Sequence, residues 1–258
     1  MNIKTPNPQK EYLIRKLTGL LHRLENTGRG NFVINGEADF VNNIGKLYAK
    51  KSLVVFDIGA NRGEYTDMII AATKDSLRSL HLFEPQGTCL KLLSEKFGNG
   101  QVARLNNFGL SDKETSATLY KDVDASGLAS VHKRNIDHFN IHMDMTEQIS
   151  LRKASDYIKE QNVQHINLIK IDVEGHEIQA LSGFGGFLNS ENVDFVQFEY
   201  GGANLDSHTS LMDLFNFFES RGFKVCKMMP KCLEIRSYDP RLENFFYQNY
   251  VAVSPRML

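Results

Sequence analysis

From Leu53 to Tyr200 the chain repeatedly gathers its apolar residues into short runs, "LVVFDI", "SLHLF", "QVARLN", "INLIKIDV" and "VDFVQFEY", parted by helix-length segments. The runs are apolar at consecutive positions, which suits strands covered on both faces. Between them, residues 64–72, 88–97, 154–161 and 176–181 read as helices, and 210–221 as another after the fifth run. Strands alternating with helices in this way fold as a parallel, doubly wound α/β sheet. Two further runs, "FKVCKMM" and "FFYQNYVAV", close the chain with almost no helix-length segment between them. They are expected to pair as an antiparallel hairpin at one edge, giving seven strands with the last antiparallel.

Residues 1–50 form a separate N-terminal helical segment, and 51–258 the main domain. In the first segment Leu13, Ile14, Leu17, Leu20, Leu21 and Leu24 make one helical stripe, and a weaker helix begins near Glu37. Both helices read as packing on the main domain, with a substrate lid or a dimer surface as the alternatives. One region breaks the strand–helix rhythm. More than fifty residues separate "LNNFGLSD" from "INLIKID", where one crossover helix would do. This insertion, 113–150, contains a hairpin arm at 117–120 and a strand near 147–151, and is read as a substrate lid.

The formal net charge of -1 gives no electrostatic reason to expect a nucleic acid as partner. Basic pairs such as Lys50-Lys51 and Lys133-Arg134 read as solvated. The three cysteines are odd in number and fit no metal or redox spacing, which favours a reducing compartment. The N-terminus scatters charges through its apolar residues and offers no signal-peptide core, and no apolar run is long enough to span a membrane. The expectation is a cytoplasmic protein, with a homodimer as one partner.

The first strand hands over to its helix through Asp57-Ile58-Gly59-Ala60-Asn61-Arg62-Gly63, or D-x-G-x-N-x-G. A dinucleotide site is expected to carry G-x-G-x-x-G there, and no Walker sequence follows. An acid at the strand end suits a ligand with a cationic end, and S-adenosylmethionine has an ammonium and a sulfonium. Gly59 and Gly63 let the backbone pass close to the ligand and the helix close to the strand. The second strand ends "HLFEP", placing Glu84 where a doubly wound site uses an acid to accept both ribose hydroxyls. Two carboxylates at consecutive strand ends point to S-adenosylmethionine as the cofactor.

A third element, "LIKIDVEGHEIQALSGF" at 168–184, completes a pattern. With "FDIGANRGEYT", "LFEP" and "NFGLSD" it closely resembles the FkbM family of S-adenosylmethionine-dependent methyltransferases. That family carries D-x-G-A-N-x-G, then F-E-P, then K-I-D-V-E-G-x-E, a short helix and L-x-G. The resemblance spans roughly 54–199, and "NYVAV" is similar to the family's last strand. It implies a class I methyltransferase fold, Rossmann-like, with a seven-stranded, mostly parallel sheet. It also implies, typically, O-methylation of sugar or natural-product hydroxyls. The family's serine-rich stretch is matched loosely by "ASGLASVHKR" within 121–150.

A sugar hydroxyl is a weak acid and needs a positioned base or a metal. The residues expected to hold or activate it lie at the ends of the fourth and fifth strands: Asp172, His176 and Glu199. Glu174, Ser126, Ser130, His132 and Tyr200 are candidate acceptor contacts, and Asn107 and Asp112 are candidates for adenine. Asp172 and Glu199 could also bind Mg2+. The reading is an O-methyltransferase acting on a sugar, glycoconjugate or small metabolite. The alternatives are N- or O-methylation of a natural product and a cofactor-binding sensor or scaffold without turnover.

Overall fold

The computed structural model describes residues 5–100 and 102–258; residues 1–4 of the N-terminal segment and Gln101, the first residue of the third apolar run, lie outside the described residues. Asn7 caps α1 (Pro8–Leu24) by accepting from the Gln9 amide at 2.9 Å, with Pro8 at the first helical position. There follow α2 (Glu37–Leu47), β1 (Leu53–Ile58), α3 (Glu64–Thr73), β2 (Leu77–Phe83), α4 (Gly87–Phe97) and β3 (Ala103–Asn106). The insertion region supplies β4 (Gly109–Leu110), β5 (Thr115–Lys121) and β6 (Met145–Arg152). The alternation resumes with α5 (Ala154–Glu160), β7 (Ile166–Ile171), α6 (Glu177–Ser182), β8 (Val193–Tyr200), α7 (Ala203–Ser207) and α8 (Leu211–Glu219). The chain closes with β9 (Lys224–Met229), β10 (Cys232–Ile235) and β11 (Gln248–Val253).

The main sheet has the order β10-β9-β11-β8-β7-β1-β2-β3. Strands β3, β2, β1, β7 and β8 run parallel, and β11 is antiparallel to both β8 and β9. Along β1 the side chains alternate between two cores. Leu53 and Val55 pack with residues of α2, α3 and α4, whereas Phe56 and Ile58 pack with residues of α5, α6 and α8. That two-sided burial is why the runs were apolar at consecutive positions.

One expectation about the closing strands changes. The final pair is antiparallel at one side of the sheet as expected, and β11 lies between β8 and β9. All six of its residues are buried. The edge belongs to β10, a short strand hairpinned onto β9, so the sheet has eight strands where seven were expected.

The two N-terminal helices also part company. Helix α2 packs as expected, burying Phe40, Val41 and Ile44. Helix α1 buries no residue, and its leucine stripe is open to solvent. The insertion folds as an arm. β5 and β6 pair antiparallel, β4 joins β6 in parallel, and Leu119, Ile149 and Leu151 form a small core of their own.

Candidate active site

The loops after β1, β2 and β7 meet the inserted arm around a cavity of about 390 Å³. Its shape is set by one close approach. Gly59 has a φ of 81°, and a Cβ there would lie 1.9 Å from the backbone oxygen of Asp172. Only glycine lets the β1 loop press on the β7 loop in this way. Gly63, with φ 79°, does the equivalent for helices: a Cβ would fall 2.6 Å from the Phe97 ring, so α3 lies close to α4. Asn61 holds a φ of 47°, and its side-chain amide donates to the Ser126 carbonyl at 2.9 Å. A strained residue thus ties the β1 loop to the arm.

Glu84, 5% exposed, stands at the end of β2 in the cavity wall. Its two carboxylate oxygens accept from the backbone amides of Asn61 and Gln86, each at 2.8 Å. Burial pushes its pKa up to about 7, against the opposing pull of those two amides. Asp57, expected to hold the cofactor, is buried and stands outside the cavity lining. One of its oxygens accepts the Thr66 hydroxyl at 2.6 Å, and the other is buried with no partner among the described residues. Burial raises its pKa, while Lys170 acts to lower it.

Three carboxylates gather at the β7–β8 end. Asp172, Glu174 and Glu199 each offer an oxygen within 4.8 Å of the others. Cations of the chain compensate two of them. Lys170 Nζ lies 3.0 Å from Asp172, and Arg134 lies 2.5 Å from Glu174. Burial alone would lower the Lys170 pKa, but Asp172, Asp57 and Glu37 together raise it. Burial, then the Asp172 charge, pushes Glu174 up to about 8. Glu199 is raised for the same two reasons. Glu174 also carries a φ of 51°, a second strained residue at the site.

His176 lines the cavity at the start of α6, and burial, followed by the neighbouring His132, lowers its pKa to about 4. The two imidazoles lie 5.9 Å apart, centre to centre. The Ser111 hydroxyl donates to Asp112 at 3.2 Å and lies 3.0 Å from His176 Nε2. A Ser111 hydroxyl that donates to Asp112 accepts from Nε2–H, the tautomer in which Nδ1 is an acceptor. Nδ1 is buried with no partner among the described residues.

The cavity therefore unites Gly59, Asn61, Glu84, Ser126, Asp172, Glu174 and His176. Asn107 and Asp112 are exposed and stand outside its lining. Ser130 is buried and donates to the Glu174 carbonyl at 2.6 Å, fastening the arm to the β7 loop. Tyr200 is fully buried, its hydroxyl bonded to Glu243 at 2.6 Å, because its strand position faces the core under α8. Arg134 is enclosed and not solvated as its basic pair with Lys133 suggests, with its side chain 9% exposed.

Sequence reasoning also passed over Gln86, Lys170, Tyr65, Phe32, Glu37 and Tyr247, all in the lining. Lys170 did leave a signal, a lone cation inside a fully buried strand. Glu37 is tied in through Gln197, which donates to it at 2.6 Å and accepts from Tyr65 at 2.6 Å.

Comparison with known proteins bears on this geometry. The family model described as the methyltransferase FkbM domain matches residues 57–225. The hexuronic acid methyltransferase AglP of Haloferax volcanii is 28% identical over 158 residues, 59% of either chain. The 2-O-methyltransferase NoeI of Sinorhizobium fredii is 24% identical over 168 residues, covering 62% of this chain and 68% of the relative. A crystal structure of an FkbM methyltransferase from Methylobacillus flagellatus superposes with a TM-score of 0.51 at 15% identity. It covers 94% of this chain and 60% of that one, a likeness of fold. The chain thus spans less than two thirds of the first of these relatives. No helix among the described residues is long and apolar enough to cross a membrane.

Proposed function

The chain belongs to the FkbM family of methyltransferases, and from that premise we propose that it methylates a hydroxyl of a sugar or glycoconjugate, using S-adenosylmethionine. One observation carries the cofactor: a buried carboxylate, Glu84, held by two backbone amides in the wall of a cavity that Gly59 shapes. Each carboxylate oxygen keeps a second lone pair for a ribose hydroxyl. Gln86 Oε1, buried with no partner among the described residues, fits a further donor on the same ligand. Leu110, Ile149 and Leu151 supply an apolar wall for a base. When bound, S-adenosylmethionine supplies an electrophilic methyl group on a sulfonium.

The chain's own residues prepare the acceptor. Asp172 and Glu199 accept from sugar hydroxyls and orient them, and Arg134 with Glu174 shapes the acceptor end. His176 takes the proton of the reacting hydroxyl on Nδ1, its tautomer set by the Ser111–Asp112 pair. The names of the two relatives, a hexuronic acid methyltransferase and a 2-O-methyltransferase, support a sugar acceptor. The test is methyl transfer from S-adenosylmethionine to hexuronic acid and hexose glycosides, followed by mass spectrometry. A methyl ether formed on a glycoside supports the reading. Binding of the cofactor without turnover on any hydroxylated acceptor points instead to a sensor or scaffold.

A second reading places Mg2+ on Asp172, Glu174 and Glu199, favoured by the 4.8 Å clustering of their oxygens. Because Lys170 and Arg134 already compensate two of these acids, turnover is expected to survive a chelator. Loss of turnover in chelator, restored by Mg2+, favours the metal.

A further inference from the structure

We propose that α1 is a docking element that lays its apolar stripe on an anionic lipid surface. The proposal does not rest on the methyl-transfer reading. Leu13, Ile14, Leu17, Leu20, Leu21 and Leu24 recur at spacings of three and four, so they share one face of the helix. All six are between 44% and 64% exposed. The half-buried residues of α1 are Glu11, Thr18 and His22, which lie outside the stripe on another side of the helix. His22 packs tilted against Phe246, with ring centres 4.3 Å apart. The helix therefore meets the body of the protein with its polar side and turns its apolar side outward.

The base of the helix is fixed. Glu25 pairs with Lys227 at 2.9 Å, and the Asn26 side chain donates to the carbonyls of Asn35 and Met228 at 2.7 and 3.0 Å. The Gly28 amide donates to the Tyr247 carbonyl at 2.7 Å. A well-capped, anchored helix with a continuous apolar face in water marks an interaction surface.

Charge selects the occupant. The helix carries Lys10, Arg15, Lys16 and Arg23 against the single acid Glu11, in a chain whose net charge is -1. By helical spacing Lys16 and Arg23 flank the stripe, and Lys10 lies at its N-terminal end. A second copy docking stripe to stripe would bring cations together without acids to meet them. Glu11 lies on the inner side, and Glu25 is already paired with Lys227 and Arg236. An anionic bilayer offers both an apolar layer and negative headgroups. A basic amphipathic helix lies in its plane without crossing it. The segment between α1 and α2 contributes Phe32 to the cavity lining, and its Gly28 bonds to Tyr247, another lining residue. Docking through α1 would thus hold the cavity beside the lipid surface.

The test is co-sedimentation of the full chain with vesicles of phosphatidylcholine alone, or of phosphatidylcholine and phosphatidylglycerol in equal parts. The wild type is expected to favour the anionic vesicles by about tenfold or more, with binding weakened by salt. The double variant Leu17→Asp, Leu21→Asp loses binding, and Lys16→Glu, Arg23→Glu loses the preference for anionic vesicles. All four positions are exposed, and circular dichroism checks that the variants are folded. Three results would each overturn the proposal. The wild type could stay in the supernatant with both vesicles. The leucine variant could bind as the wild type does. Light scattering could find a wild-type dimer that the leucine variant converts to a monomer while neither binds vesicles.

Discussion

At the β1–β2 end of the cavity Glu84 is held by two backbone amides, Gln86 of its own loop and Asn61 of the β1 loop. At the β7–β8 end Glu174 is held by Arg134, 40 residues away in sequence and carried in by the inserted arm. An acid gripped by main-chain amides keeps its place for as long as the β1 and β2 loops keep their shape. An acid compensated by a distant side chain depends on tertiary docking, and it can exchange that partner for a ligand. The first arrangement suits a ligand that never varies, the cofactor. The second suits the proposed acceptor, whose end of the cavity the arm encloses through Arg134.

Gly59→Ala should damage both ends at once and by the most. The new Cβ would collide with the Asp172 carbonyl, in a backbone conformation that costs an L-residue roughly 1–2 kcal/mol before any collision. Urea denaturation should show a large loss of stability, together with loss of cofactor binding. Wild-type stability in this variant would mean that the two loops are not pressed together.

Removing His176 should separate the ends. His176→Ala is expected to lower kcat by about 10²–10⁴-fold while binding S-adenosylhomocysteine as the wild type does. If binding falls in parallel, His176 belongs to the cofactor's side of the comparison.

Glu84→Gln sharpens the account of the β1–β2 end through pH. The folded-state pKa of Glu84, about 7, exceeds its ordinary 4.5, so the folded chain keeps this proton longer than the unfolded chain. Ionising it therefore costs the folded state stability as pH rises from 4.5 to about 7. Without ligand, the wild type should lose on the order of 3 kcal/mol relative to the glutamine variant across that window. Parallel stability curves for the two proteins would remove the argument. Cofactor affinity in the wild type should rise over the same window, because the carboxylate is the form that accepts two hydroxyls.

The smallest effect belongs to Arg134→Met. Glu174, already raised to about 8, carries its proton at neutral pH, so removing the cation strands no charge and the loss of stability is limited to about 1–3 kcal/mol. The KM for acceptor should rise and the affinity for S-adenosylhomocysteine should not change. An equal loss of both would contradict the division of the cavity.

This division also separates what the sequence could and could not tell. Gly59, Asn61 and Glu84 follow a strand signal within a few residues, and local pattern suffices to place them in one crevice. Arg134 and Ser130 act through tertiary contacts with Glu174, and nothing in "ASGLASVHKR" distinguishes an enclosed arginine from a solvated one. Asp112 was read as an adenine contact, but its neighbour Ser111 turns towards His176 and Asp112 stands outside the lining. Strand β10 is only four residues long and partly exposed, so it leaves no apolar run to read. The stripe on α1 was plain, but periodicity shows only that a face wants covering and not what covers it.

The most direct measurement is calorimetric titration of S-adenosylhomocysteine into the wild type, Glu84→Ala and His176→Ala, with NAD as the control ligand. The account predicts saturable binding to the wild type and to His176→Ala, no binding to Glu84→Ala, and no response to NAD. Equal binding by Glu84→Ala, or none by the folded wild type, would contradict it.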